Sequence, residues 1–454
     1  MRLRLLLPGA RRGRGLRGLS RRAAAGAFLG LGWVAAAILA IVVLTGGRDP
    51  ERAAGTSTST SPTAQEPGFT PAPRPGDTQV VETDGRIAVG ITEPNPNFVW
   101  APGARDIGPP FGRWREAFDR LRPAYYRLVL DWQGLQPDPA APANLDLPNG
   151  GCLRDVPPCG GWAGVRDQLR AAASRQRETG MRVLVVLSGT PAWAARPASG
   201  CERAGTEPRS RPPRTDALPA YRKLVADTLA AAQQEGLELR YWSAWNEPNH
   251  PFFLSPQRER CDRASASTAV APYVEMAREL RAALDEAPGD QEYVLGELAA
   301  LTRRKARNTA VEEFARALPA DLVCGAKAWS QHGYVGGDDP VEPAAQGLAT
   351  HGCPRSPEIW ITETGVGAPE RDRERATGEA AQRKACEAMH RRLKRWYEDP
   401  RVTAAFQYTL REDDRFPTGL VDTALERAYP VLRAWQAWGG ERAPEAPVPR
   451  DACT

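Results

Sequence analysis

Histidine is scarce in this chain of 454 residues: His250, His332, His351 and His390 are the four, and they are scattered. No C-x-x-C, H-x-H or H-E-x-x-H pattern occurs. A zinc site or a metal-dependent hydrolase is therefore a poor reading, and no cofactor is expected. A Gly-rich turn after the first strand-like segment is also missing, which argues against a dinucleotide-binding open sheet. Acidic residues are absent from the first 22 positions, where eight arginines stand. The formal net charge of +5 thus comes from the tail, and the remainder carries about 5 − 8 = −3. A nearly neutral body gives no electrostatic reason to expect nucleic acid as a partner.

Charge is missing again from Ala27 to Leu44, AFLGLGWVAAAILAIVVL. That run is about as long as a membrane span requires, and the preceding arginines predict a cytoplasmic N-terminus. A cleaved signal peptide is the rival, since an apolar h-region can follow a basic n-region. We favour the uncleaved anchor because both the basic and the apolar stretches are long. The expected organisation is a basic N-terminus (1–22), a transmembrane signal anchor (23–45), a Ser/Thr/Pro-rich disordered linker (46–82) and a catalytic domain (83–454). The domain would lie outside the cytoplasm, tethered to the cell membrane or, in the alternative, secreted. All eight cysteines lie beyond the apolar run, and an even count in an exported chain suggests disulfides. The expected pairs are Cys152–Cys159, Cys201–Cys261, Cys324–Cys353 and Cys386–Cys453.

Past the linker, strand-like and helix-like segments alternate. Strands are expected at Arg86–Ile91, Tyr125–Leu130, Arg182–Leu187, Leu239–Ala244, Glu292–Gly296, Gly325–Ser330, Ile359–Glu363 and Thr403–Tyr408. Helical patterns fall at Phe111–Leu121, Val165–Glu178, Leu218–Gln234, Tyr273–Leu284, Val311–Leu318, Gly378–Glu398 and Tyr429–Trp438. About eight such units predict an α/β fold, a (β/α)₈ TIM barrel, with an open doubly wound sheet as runner-up. In a barrel the residues that follow each strand meet on one face. That face would gather Glu93, Arg127, Asp131, Trp132, Trp193, Asn246, Glu247, His332, Tyr334, Glu363 and Tyr408.

Two glutamates on that face stand out, in Trp245-Asn246-Glu247-Pro248-Asn249 and in Trp360-Ile361-Thr362-Glu363-Thr364-Gly365. Strands four and seven of an eight-stranded barrel face each other across its mouth. Hydrolysis of a glycosidic bond needs one carboxyl to protonate the leaving oxygen and a second to attack, or to activate water, at the anomeric carbon. Spacing in the sequence leaves retention and inversion open. Glu93, Asp131, Glu297 and the pair Asp413-Asp414 read as loop polar residues, with Glu93 and Asp413 able to reach substrate.

The two motifs resemble the acid/base and nucleophile motifs of clan A glycoside hydrolases, in particular families 39 and 5, and Thr190-Pro191-Ala192-Trp193-Ala194 is similar to a strand-three motif of the former. The resemblance spans about residues 83 to 440. It implies a retaining glycosidase with Glu247 as acid/base and Glu363 as nucleophile. It also implies Asn246 on the sugar 2-hydroxyl, Arg127 and Tyr334 against Glu363, and His332 orienting the sugar or the acid/base. Trp132, Trp193 and Trp329 are candidates for stacking on sugar rings, and among all the tryptophans Trp193 and Trp245 are favoured for the site. The clan often has a Trp at the end of strand eight, where this chain has Tyr408. The expected partner is a carbohydrate; sugar, linkage and oligomeric state stay open. The alternative from another class is a non-catalytic glycan-binding or scaffolding protein on a degenerate barrel.

Overall fold

The computed structural model describes residues 86–153, 155–366, 378–413, 416–450 and 452–453. The expected basic tail, membrane anchor and linker lie outside the described residues, as does Asp414. Among the described residues no helix is long and apolar enough to cross a membrane.

Eight strands run in parallel: β1 (Ala88–Thr92), β2 (Tyr125–Asp131), β3 (Arg182–Ser188), β4 (Tyr241–Ser243), β5 (Glu292–Leu298), β6 (Ala328–His332), β7 (Glu358–Thr364) and β8 (Val402–Tyr408). They close into a barrel in sequence order, and β8 returns to pair with β1. Strand β3 is buried on both faces, which explains its unbroken apolar run Val183–Leu187. Among the described residues ten α-helices lie between or after the strands: α1 (Phe111–Leu121), α2 (Trp132–Leu135), α3 (Gly164–Thr179), α4 (Leu218–Gln234), α5 (Val270–Glu286), α6 (Val311–Arg316), α7 (Ala320–Gly325), α8 (Val341–Ala349), α9 (Glu379–Glu398) and α10 (Val431–Trp438). In α1 the buried positions Phe111, Trp114, Ala117, Phe118 and Leu121 recur at helical spacing, so one stripe packs on the barrel wall. Arg122 in the left-handed region, φ 46°, ends that helix.

Inside the barrel, Tyr125, Tyr241, Trp360 and Phe406 form one apolar cluster. Tyr125 and Trp360 lie 5.0 Å apart between ring centroids, Tyr241 and Trp360 also 5.0 Å, and Tyr125 and Phe406 5.6 Å. Gly90 faces this cluster without a side chain. A Cβ there would come within 2.3 Å of the Phe406 ring. The plug therefore needs glycine on β1. It also forms the floor beneath the polar groups one step further along each strand, Arg127 after Tyr125 and Tyr408 after Phe406.

The sixth strand differs from expectation. Gly325 does not open it; Pro319 instead starts the short helix α7, and the Tyr293 hydroxyl fastens that helix by donating to the Leu322 carbonyl at 2.7 Å. Strand β4 is three residues rather than six, and α8 was not foreseen. The cysteines pair as expected, Cys152–Cys159, Cys201–Cys261, Cys324–Cys353 and Cys386–Cys453. Four disulfides place the folded domain in an oxidising, extracytoplasmic compartment.

Candidate active site

The short strand β4 is followed by backbone that stays pinned between its neighbours. Asn246 N donates to Leu187 O of β3 at 2.9 Å, and Glu247 N donates to Glu297 O of β5 at 2.8 Å. Asn249 clamps the next turn: its amide donates to Ala299 O and Thr309 O, and its carbonyl accepts from Ala299 N. Glu247 itself sits at φ 43°, a left-handed conformation unusual for glutamate. Opposite, Glu363 is the penultimate residue of β7. One carboxylate oxygen of each glutamate and a ring nitrogen of His332 lie within 4.8 Å of one another.

Arg127, fully buried on β2, connects the two sides. It donates to Glu363 Oε1 at 2.7 Å and to Asn246 Oδ1 at 2.7 Å. It also makes two bonds to Glu297 Oε2, at 3.0 and 2.6 Å. The Asn246 carbonyl is thus committed, and its amide nitrogen is the donor left for a ligand. Tyr334 donates to Glu363 Oε2 at 2.8 Å. His332 Nδ1 lies 2.8 Å from Glu247 Oε1 and 3.4 Å from Glu363 Oε2, and its Nε2 lies 3.2 Å from Glu297 Oε2.

Burial would lower the His332 pKa, but Glu363, Glu247 and Glu297 overcome it and raise the ring to about 10. Burial works against the Glu297 carboxylate in turn, yet Arg127, His332 and Ser330 hold it down to about 2. Burial, then the Glu363 charge, pushes the Tyr334 phenol well up. Glu247, His332 and Glu363 are residue types that could ligate a cation.

The remaining expected residues divide by exposure. Trp193 is half-buried, its indole N–H donating to Gln136 O at 2.9 Å. Tyr408 is half-buried at the end of β8, edge-on to Phe416 at 5.4 Å, and Phe416 meets Tyr334 at 5.0 Å. Trp245 is a correction: it is fully buried, and its indole donates to Phe253 O at 2.9 Å. The residue before Asn246 faces the outer core because side chains alternate along extended backbone. Trp132 and Trp329 are buried as well and offer no stacking surface. Glu93 is enclosed beneath the loop after β8, accepting from Asn95, Leu410 and Arg411 backbone N–H groups, and burial pushes its carboxyl up to about 7. Asp131 points to solvent and pairs with Arg209 at 3.4 Å.

Two residues of this cluster escaped the sequence. Phe416 gave no signal. Glu297 is not a loop residue: it lies in β5, fully buried. Its signal was an acid between Gly296 and Leu298 within an otherwise apolar strand.

No family model matches the chain, and no match is found among curated proteins. Solved structures are similar in fold. A conserved exported protein from Bacteroides fragilis matches at TM-score 0.52 and 14% identity, over 79% of this chain and 79% of that one. SrfJ from Salmonella typhimurium matches at TM-score 0.50 and 11% identity, over 78% of this chain and 75% of that one. A GH5_18 protein from Bifidobacterium longum subsp. infantis matches at TM-score 0.49 and 15% identity, over 79% of this chain and 80% of that one. At these identities the likeness is one of barrel fold.

Proposed function

We propose that this protein is a retaining glycoside hydrolase acting on a polysaccharide or oligosaccharide outside the cytoplasm, held to the cell membrane by its N-terminal segment. The observation that carries the reading is the approach of Glu247 and Glu363 oxygens to within 4.8 Å at the barrel mouth. That is nearer the about 5–5.5 Å of direct attack than the about 6.5–9.5 Å that leaves room for an activated water. The motif resemblance points the same way.

In the first step Glu363 attacks the anomeric carbon and forms a glycosyl ester. The glycosidic C–O bond breaks, and the leaving oxygen takes a proton from Glu247. In the second step water attacks the same carbon, its proton passes to the Glu247 carboxylate, and the ester bond breaks to free Glu363. Arg127 and Tyr334 each donate a hydrogen bond to Glu363 and aim it. Asn246 offers its amide nitrogen to the sugar 2-hydroxyl, His332 orients Glu247, and Trp193 and Tyr408 supply the aromatic faces for sugar rings.

Glu247→Ala and Glu363→Ala, assayed on aryl glycosides and a glycan panel, test this. Each is expected to lose at least about a thousandfold in kcat/KM, about 4 kcal/mol of transition-state stabilisation. Azide is expected to restore turnover of activated substrates to Glu247→Ala alone, since a small anion needs no base. Undiminished hydrolysis in either variant refutes the assignment. Glycan binding without turnover by the unsubstituted protein favours a binding role instead.

A further inference from the structure

The catalytic reading uses two carboxylates, but the barrel mouth holds a third beneath them. Glu297 has no exposed surface and no route to a substrate. Its Oε2 accepts from Arg127 Nε and Nη2 and lies 3.2 Å from His332 Nε2. Its Oε1 accepts from the Ser330 hydroxyl, which also meets the Thr362 hydroxyl. These five groups come from four strands: Arg127 from β2, Glu297 from β5, Ser330 and His332 from β6, and Thr362 from β7.

The backbone is shaped to place this side chain. Gly296 stands at φ 99° and Glu297 at φ 55°, and the pairing of β5 with β6 shifts register between Gly296 and Leu298. A Cβ on residue 296 would lie 2.3 Å from Ser330 O. The bulge turns a residue that regular alternation would misdirect, as bulges beside active sites do. A glutamate in a left-handed conformation is strained, and it persists only when its surroundings fix it.

We propose that Glu297 is a positioning residue for the hydrolysis described above: its carboxylate orients Arg127 toward Glu363 and His332 toward Glu247. The proposal rests on the reading of Glu247 and Glu363 as acid/base and nucleophile. One anion holds both cations, so the two ends of the reaction share a common anchor. The groups facing the His332 ring are Glu247 after β4, Glu297 on β5 and Glu363 on β7, with Tyr334 on Glu363 and Arg127 behind Glu297. Of the three carboxylates only Glu297 is wholly shut off from water, so its charge is the least screened. With it in place the His332 ring keeps both protons, and its Nδ1–H is a donor to Glu247. A neutral ring could present Nδ1 as an acceptor instead and lose that direction.

Glu297→Gln keeps the shape of the side chain and removes its charge. Two readouts apply to the full chain: titration of the His332 imidazole by NMR, and the pH profile of kcat/KM on an activated aryl glycoside. The expected result is a His332 midpoint at least one pH unit lower in the variant. At neutral pH kcat/KM should fall at least about tenfold through kcat, and the alkaline limb should move to lower pH. Glu297→Asp keeps the charge but withdraws it by one methylene. It should shift both readouts by less in the same direction, and it serves if the Gln variant does not fold. A folded variant of either kind with the His332 midpoint and pH profile of the unsubstituted protein overturns the proposal. If the unsubstituted protein cleaves no glycoside, the enzymatic reading fails by itself, while the imidazole titration still decides whether Glu297 governs His332.

Discussion

Trp193 and Trp245 carry the same ring five residues beyond β3 and immediately before Asn246, yet they differ in what water can reach. Trp193 → Ala should therefore raise KM roughly tenfold, about 1.4 kcal/mol of lost ring contact, with little change in kcat. Trp245→Ala should leave a cavity and an unpaired Phe253 carbonyl, and lower stability by about 3–5 kcal/mol. Steady-state kinetics on an oligosaccharide and urea unfolding of both variants separate the two; a large KM effect from a well-folded Trp245 variant would contradict its placement in the core. The contrast also marks what single residues disclose in a sequence. Glu247 and Glu363 were legible because strand-end acids flanked by polar neighbours have few structural reasons to exist. Trp245 was not, because a motif records identity and not direction. Glu297 was hidden because the expected strand stopped at Gly296 and left it to a loop, whereas β5 continues through the left-handed turn at Gly296 and Glu297 to Leu298.

Among the elements, β1 has the least freedom. Gly90 lies against the Phe406 ring, so Gly90→Ala forces either the aromatic plug or the β1–β8 pairing to move. Overpacking of this kind costs about 1–3 kcal/mol. Because the plug is the floor of the site, activity should fall with stability; chemical unfolding together with kcat/KM checks both, and an Ala variant as stable as its parent would show that the floor yields. Long elements were read closely from periodicity, α1 and α4 to the residue, because both carry a full apolar stripe. Short ones were not. β4 keeps only three paired residues, and the chain leaves regular extension to set Glu247, so a functional constraint overrides the local pattern. α7 depends on a distant tyrosine hydroxyl that no local window contains.

At the scale of the molecule, three buried groups give the stability a defined pH dependence. Glu297, held at about 2 against an ordinary 4.5, contributes stability that is complete above 4.5 and lost as pH falls through about 2. His332, raised from 6.5 to about 10, contributes stability that is complete below 6.5 and lost as pH rises through about 10. Glu93, raised from 4.5 to about 7, acts with the same sign and loses its share between those values. Together they place the maximum near pH 4.5, with stability falling above it as Glu93 and then His332 release their protons. Thermal melts from pH 3 to 9 check this; a midpoint that climbs steadily from pH 5 to 9 would exclude it. The closure of the barrel has a further consequence, in time rather than energy. Gly90 pairs with Phe406, so the first strand has no partner on one side until the last has been delivered. Pairing of such distant segments is slow because a long loop must close before any contact rewards it. Glu363 and Tyr408 arrive on the final two strands, so a chain emerging from its amino end holds Arg127 and Glu247 long before it holds Glu363. Maturation of the barrel mouth is therefore a late event in the birth of the molecule, and the two facing glutamates meet only when the last strands have been delivered.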